Sequence, residues 1–180
     1  IIINTTLVVT ALLVGALVSE AAVRLLFHDK FGKRPRFIIA DSELGWRPNR
    51  DLDHTFYGAD FDIAIRTDKD GYRLGELGEV DYGRELVILC GDSYVFGWGV
   101  STEQTMASHL DRCVHERSSG SRRVVNLGVG GYGTLQHYYR LMNFLKKHPA
   151  VSISAVVVMH SDNDATDNLK SLGSHIGAWK

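Results

Sequence analysis

Three short runs of consecutive apolar residues mark the second half of the chain, and segments with a helical pattern separate them. Runs of this length without a polar face are typical of strands buried on both faces of a parallel sheet. They are "ELVILCG" (85–91), "RRVVNLG" (122–128) and "SAVVVMH" (154–160). Their alternation with helices predicts βαβ units and a buried parallel sheet.

The two segments between these runs predict helices whose apolar stripes face the sheet. The first opens with Ser101 and has Gln104 three residues later, which is the pattern of a capping box. Its apolar positions are Met106, Leu110, Cys113 and Val114. The second segment places Leu135, Tyr138, Met142 and Leu145 on one stripe.

The first 18 residues carry no charge, and this length is at the lower limit for a bilayer span. We predict an uncleaved membrane-spanning helix over residues 1–27, with a cleaved signal peptide as the alternative. Basic residues follow the uncharged stretch and favour a cytoplasmic location for the rest of the chain. They are Arg24, Lys30, Lys33, Arg34 and Arg36.

Residues 28–83 are mixed in character and predict a turn-rich extension that leads into a sheet domain at 84–180. Within the extension, "FDIAIRT" alternates like a half-buried strand and "KDGY" is a turn signal. It also holds Trp46, and we interpret it as a packing appendage. Because the sequence begins at Ile1 and ends without an evident stop, we expect a fragment of a longer protein.

Charge and cysteine content exclude two classes of protein. A net charge of −1 gives no field that would attract nucleic acid. Two cysteines indicate no disulfide framework, and we interpret Cys90 and Cys113 as buried small apolar residues.

The segments after the three strands are rich in glycine and polar residues, and they should meet at one edge of the sheet. After the first strand, Ser93 stands at a strand-to-helix turn, where a serine exposes its hydroxyl as a nucleophile or simply caps the helix. After the third strand, Asn163 supplies a neutral amide that suits a developing negative charge. A calcium loop of the EF-hand type is excluded there because Gly173 occupies the position of the terminal glutamate.

The segment after the second strand contains the G-x-G-x-x-G spacing of dinucleotide-binding proteins at glycines 128, 130 and 133. That function requires the first βα turn of the sheet and an acidic residue about 20 positions later. The first acid after the next strand is Asp162, 29 residues past Gly133, so the spacing is wrong. We therefore expect these glycines to let backbone N–H groups approach an oxyanion.

Taken together, the three segments resemble the SGNH/GDSL hydrolases, strongly over residues 84–168 and weakly over 20–83. "GDSYVFGWGV" is similar to the first block of that family, which implies Ser93 as the nucleophile. "NLGVGGYGTLQ" is similar to the second block and implies that Gly131 is an oxyanion donor. "SDND" is similar to the third block and implies the same role for Asn163, with Ser161 in place of the usual glycine.

The base that the resemblance implies, a histidine in a D-x-x-H block after the asparagine block, is missing from these residues. His175 has Leu172 where the aspartate belongs, and the pair Asp51 and His54 precedes the nucleophile. We expect the base further downstream in the longer protein. His160 is the first alternative and His175 the second.

The resemblance implies a three-layer α/β/α sandwich of the flavodoxin-like type and a reaction of ester hydrolysis, with no metal or organic cofactor. The expected substrate is an acylated glycan or lipid of the cell envelope, met by a membrane-anchored domain outside the cytoplasm. Two alternatives stay open: an O-acyltransferase acting on polysaccharide, and a catalytically silent binding domain at the membrane.

Overall fold

The computed structural model describes residues 2–26, 36–57 and 62–169. These residues fall into two compact units, one within residues 1–34 and the other within residues 35–180. The first unit is a single helix, and the second contains the sheet with its helices and hairpins.

The first unit is helix α1, Ile2–Leu26. Its stretch Thr5–Leu26 has a mean hydropathy of 2.1 and is long and apolar enough to cross a membrane. Its charged residues Glu20 and Arg24 pair near the end of the helix at 2.7 Å. The predicted apolar helix is therefore present, with a composition that membrane anchors and signal sequences share.

The described part of the second unit contains seven strands. The strands are β1 (Ile38–Asp41), β2 (Gly45–Pro48), β3 (Asp53–Tyr57), β4 (Asp62–Arg66), β5 (Glu85–Cys90), β6 (Arg122–Asn126) and β7 (Ser152–Val158). The helices are α2 (Ser93–Phe96), α3 (Met106–Arg117) and α4 (Thr134–Lys147), with a 3₁₀ turn at Thr102–Gln104 and a helical segment at 164–169.

The three predicted apolar runs form one parallel sheet in the order β6–β5–β7, with β5 in the middle. This confirms the prediction of an α/β protein with a parallel sheet. Side chains of β5 alternate between two cores because successive residues of a strand point to opposite faces. Leu86 and Ile88 pack in the core that α4 covers through Phe144, and Val87 and Leu89 pack in the core that α3 covers through Ala107.

The prediction that all three strands are buried is wrong for β7. Its side chains are mostly exposed, and Val156, Val157 and Val158 are 43%, 37% and 53% exposed. β7 is an edge strand that pairs only with β5, and among the described residues no element covers its outer side. A run of apolar residues predicts a strand that is suited to burial. Whether the strand is buried depends on the elements that pack against it.

Helix α3 begins later than predicted, and its stripe is shifted. Ser101 caps only the 3₁₀ turn and makes no side-chain cap bond, whereas the Thr105 side chain accepts from Ser108 N and starts α3. Met106 is 38% exposed and Cys113 is exposed, so the burial predicted for Cys113 is wrong. Cys90 is buried as predicted, and burial raises the pKa of its thiol to about 11.

Helix α4 also turns a different face inward. Leu135 and Tyr138 are 37% and 55% exposed, so the predicted stripe is wrong at its first two positions. The buried residues are Gln136, His137, Arg140 and Phe144. Gln136 and Arg140 take inner positions because they donate to backbone carbonyls of the surrounding loops.

The extension forms two antiparallel hairpins, β1–β2 and β3–β4, with the predicted strand at β4. The predicted "KDGY" turn is present: Gly71 has φ +79°, and its N–H donates to Asp68 O at 3.0 Å. Ile63 and Ile65 of β4 pack with Phe96 of α2, so the second hairpin lies against the helix that carries Ser93.

Candidate active site

Ser93 is the first residue of α2 and follows the end of the central strand by three positions. The helix cap is Asp92, whose side chain accepts from Tyr94 N at 2.9 Å. The turn ends at Gly97 (φ +84°), and the N–H groups of Gly97 and Trp98 both donate to Ser93 O at 2.9 Å. Since Asp92 does the capping, helix capping does not account for the serine.

A buried arginine from the extension holds the far end of this turn. Arg73 is 3% exposed, and its guanidinium donates to Phe96 O at 3.0 Å, Gly97 O at 2.5 Å and Val100 O at 3.0 Å. It also lies over the Phe96 ring, 4.9 Å from the centroid. Burial lowers the pKa of Arg73 to about 10, so the side chain remains charged at neutral pH.

The glycines after β6 are explained by close packing against the Ser93 turn and its neighbours. A Cβ on Gly128 would lie 2.8 Å from the Val95 carbonyl carbon, and a Cβ on Gly133 would lie 2.7 Å from Asn168 N. A Cβ on Gly130 would lie 3.6 Å from Ser93 Cβ, so this loop runs directly beside the serine. Glycine is needed where backbones approach this closely.

Gly131 is the one residue of this loop with a positive φ, +77°. Non-glycine residues rarely adopt this conformation, so the peptide before Gly131 has an orientation that the sequence permits only through glycine. The structure thus places Gly131, the predicted oxyanion donor, next in the chain to the residue that faces Ser93 Cβ.

Asn126, the last residue of β6, ties the glycine loop to the Ser93 helix. It is 4% exposed; its Nδ2 donates to Val95 O at 2.9 Å and its Oδ1 accepts from Gly128 N at 2.8 Å. Each polar atom of the amide is therefore used, and the two loops are fixed at one spacing.

Asn163 lies at the same sheet edge, after β7, but the described contacts do not join it to Ser93. Its Nδ2 donates to Asp167 Oδ2 at 2.7 Å within its own helical turn. An amide carries two N–H groups, so this bond orients the side chain and leaves a second donor hydrogen.

Two histidines lie near this edge. His160 follows β7, its side chain is 67% exposed, and its Nδ1 lies 2.6 Å from Oδ2 of the fully buried Asp164. His137 of α4 is 3% exposed. Burial lowers the pKa of His137, while the carboxylates of Asp164 and Asp92 act in the opposite direction.

In the described part of the chain, no side chain hydrogen-bonds Ser93 Oγ, and no group of three or more His, Cys, Asp or Glu residues could hold a metal ion. Asp51 lies in a turn with φ +49°, and His54 lies in β3, paired across the hairpin with Ile65. His175 falls outside the described residues.

No protein-family model and no curated protein matches the chain. Among solved structures, it is similar to AlinE4, an esterase of the SGNH-hydrolase family, with 23% identity over 54% of this chain and 55% of that one and a TM-score of 0.38. A mutant of AlinE4 matches at 22% identity over 52% and 53%, again with a TM-score of 0.38. The chain thus spans about half the length of these structures.

Sequence reasoning missed two residues of the extension that contact the site loops, Arg73 and Trp46. Trp46 Nε1 donates to Gly130 O at 3.1 Å, across 84 positions of sequence. Neither contact is visible in a local pattern.

Proposed function

We propose that this chain carries the nucleophile and the oxyanion donors of a serine ester hydrolase. The observation that carries the proposal is the approach of the Gly130–Gly131 loop to Ser93, with 3.6 Å between Ser93 Cβ and a Cβ position on Gly130. A nucleophilic hydroxyl beside a glycine loop that exposes backbone N–H groups is the arrangement that acyl transfer requires. The resemblance of the three sequence blocks to SGNH/GDSL hydrolases supports the same reaction.

In the proposed reaction, Ser93 Oγ attacks the ester carbonyl carbon while its proton passes to a base. The carbonyl oxygen becomes an oxyanion, held by the N–H groups of Ser93 and Gly131 and by the Asn163 side chain. The carbon–oxygen bond to the alcohol then breaks, the base returns the proton to that alcohol, and water releases the acid from Ser93 in the same way.

The base is assigned to the D-x-x-H block that the family resemblance implies. Of the described imidazoles at this sheet edge, His160 alone combines an exposed side chain with a carboxylate on Nδ1. It is therefore the alternative base.

The proposed substrate is an acylated glycan or lipid of the cell envelope, and helix α1 is the proposed anchor that holds the domain near it, outside the cytoplasm. The length and composition of α1 support the anchor. The family resemblance supports the side of the membrane and the substrate, against the basic residues that follow α1.

The test is the reaction of Ser93 with a fluorophosphonate and the turnover of a p-nitrophenyl ester. Ser93→Ala should abolish both, whereas Ser101→Ala, a matched change at a half-buried serine of the next turn, should leave them unchanged. Labelling that persists in Ser93→Ala would refute the assignment. A full-length protein, with its base in place, that neither reacts nor turns over would favour the silent binding domain.

A further inference from the structure

We propose that Trp46 is a positioning residue that fixes the direction of the Gly131 N–H, so that the extension completes the oxyanion site. This inference rests on the proposed function for its catalytic consequence. Its structural part, that Trp46 locks one peptide of the glycine loop, stands on contacts alone.

The indole of Trp46 is hydrogen-bonded to the glycine loop. Trp46 Nε1 donates to the carbonyl oxygen of Gly130 at 3.1 Å. That carbonyl belongs to the same planar trans peptide as the N–H of Gly131, and the two groups of such a peptide point in opposite directions. A donor that holds the Gly130 C=O on the Trp46 side therefore directs the Gly131 N–H to the other side.

The peptide between Gly130 and Gly131 needs an outside contact to keep one orientation. Glycine on both sides removes the Cβ contacts that elsewhere favour one orientation of a peptide plane. Gly131 has φ +77°, and a rotated peptide with the opposite N–H direction is open to it as well. The loop sequence alone does not decide between the two orientations.

Trp46 is itself held in place by several contacts. Its carbonyl oxygen accepts from the Tyr132 hydroxyl, and the two rings pack edge to face with centroids 5.6 Å apart. Its Cζ2 lies 3.4 Å from the position of a Cβ on Gly131. Gln136 adds a bond from Nε2 to Leu44 O at 2.8 Å, which fixes the turn of the β1–β2 hairpin to the start of α4.

The loop therefore contacts Trp46 at Gly130 O and at the Cβ position of Gly131, and it contacts Ser93 at the Cβ position of Gly130. The bond to Gly130 O also polarises the shared peptide, which makes the Gly131 N–H a stronger donor. In this proposal one side chain of the extension sets the geometry of the Gly131 N–H, a proposed oxyanion donor.

The experiment compares Trp46→Phe with Tyr138→Phe in the whole chain, kept in detergent. The phenylalanine at 46 retains an aromatic ring but no N–H donor, and Tyr138 is an exposed residue of α4 that serves as the control. Amide exchange is measured in a peptide covering residues 127–135 and in peptides from β5 and β6. Ester turnover is measured in parallel, with Ser93→Ala as the blank.

Trp46→Phe should speed exchange at residues 127–135 by about tenfold while β5 and β6 exchange as in the wild type. It should lower kcat by about tenfold with KM within a factor of two, since the lost bond orients a donor that binds the oxyanion only in the transition state. The control should change neither quantity. Unchanged exchange in the loop, or faster exchange throughout the sheet, would overturn the proposal.

Two further outcomes are separable. If Trp46→Phe does not fold, Tyr132→Phe removes the bond to Trp46 O while keeping the indole. It should speed amide exchange at residues 127–135 by less than Trp46→Phe would. Exchange at the wild-type rate in that variant would overturn the proposal. If the full-length protein, with its base in place, turns over no ester, the proposed function fails, and the exchange measurement still decides whether Trp46 holds the loop.

Discussion

Asn126 donates a hydrogen bond from its buried Nδ2 to the carbonyl oxygen of Val95 at 2.9 Å, and this bond joins the second strand of the sheet to the helix of the proposed nucleophile. We expect Asn126→Ala to lower the free energy of unfolding by about 2–3 kcal/mol, because Val95 O and Gly128 N lose their partner in a buried place. Urea denaturation measures the change. Asn143→Ala, whose amide pairs with Glu43 at the surface, should cost less than about 0.5 kcal/mol.

The glycine loop should tolerate a methyl group at one position and not at another. Gly128→Ala places a Cβ 2.8 Å from the Val95 carbonyl carbon and should destabilise the protein by about 1–3 kcal/mol, since backbone atoms cannot move aside cheaply. Gly130→Ala meets Ser93 Cβ at an ordinary 3.6 Å and should leave the melting temperature nearly unchanged. Equal losses in the two variants would show that the loop is not packed as described.

Asn163→Ala should lower kcat by about 100- to 1,000-fold and leave KM nearly unchanged, as expected for a donor that binds the oxyanion only in the transition state. Asp162→Ala, a change at the exposed neighbouring position, is the control and should alter kcat less than twofold. Steady-state turnover of a p-nitrophenyl ester gives both constants. A variant that mainly raises KM would assign Asn163 to substrate binding.

Replacing His160 distinguishes the two possible bases. If the base belongs to the D-x-x-H block, the 180-residue chain turns over esters only through its oxyanion contacts, and His160→Gln should change that rate less than about threefold. His109→Gln, at an exposed histidine of α3, provides the reference. A loss in His160→Gln of several orders of magnitude, absent from the reference, would make His160 the base.

The stability of the protein should fall in mild acid partly through His137. Its pKa is lowered by burial, so the unfolded chain binds a proton near the ordinary pKa of about 6.5 at a pH where the folded ring stays neutral. Unfolding therefore becomes easier as the pH falls below that value. We expect His137→Gln to flatten the dependence of the unfolding free energy between pH 7 and pH 5, while His109→Gln retains the wild-type slope.

The central strand and the glycine loop could be predicted from sequence because their requirements are local. Continuous apolar residues marked β5, and the glycine spacing marked a close backbone approach. The inner face of α4 could not be predicted, because Arg140 and Gln136 are buried to bind Gly71 O and Leu44 O, 69 and 92 residues away. The periodicity of apolar residues does not predict the burial of a polar side chain whose hydrogen-bond partner is distant in sequence.

The same limit applies to the candidate site. Ser93, Gly131 and Asn163 were proposed from the segments that follow each strand, and the structure brings Ser93 close to Gly130, the residue before Gly131. Trp46 and Arg73 were not proposed, because each acts through a backbone carbonyl that lies at least 23 positions away. Because every residue has a backbone carbonyl, the sequence does not indicate which carbonyl oxygen accepts the hydrogen bond.

The unequal burial of the two cysteines means that the protein already carries a selective attachment point for a probe. Cys113 is exposed on α3, whereas the Cys90 thiol is enclosed in the sheet and its pKa is raised to about 11. Since the thiolate is the reactive form, a maleimide at neutral pH should attach to Cys113 alone. A fluorophore or spin label placed there reports on the domain without any substitution near Ser93.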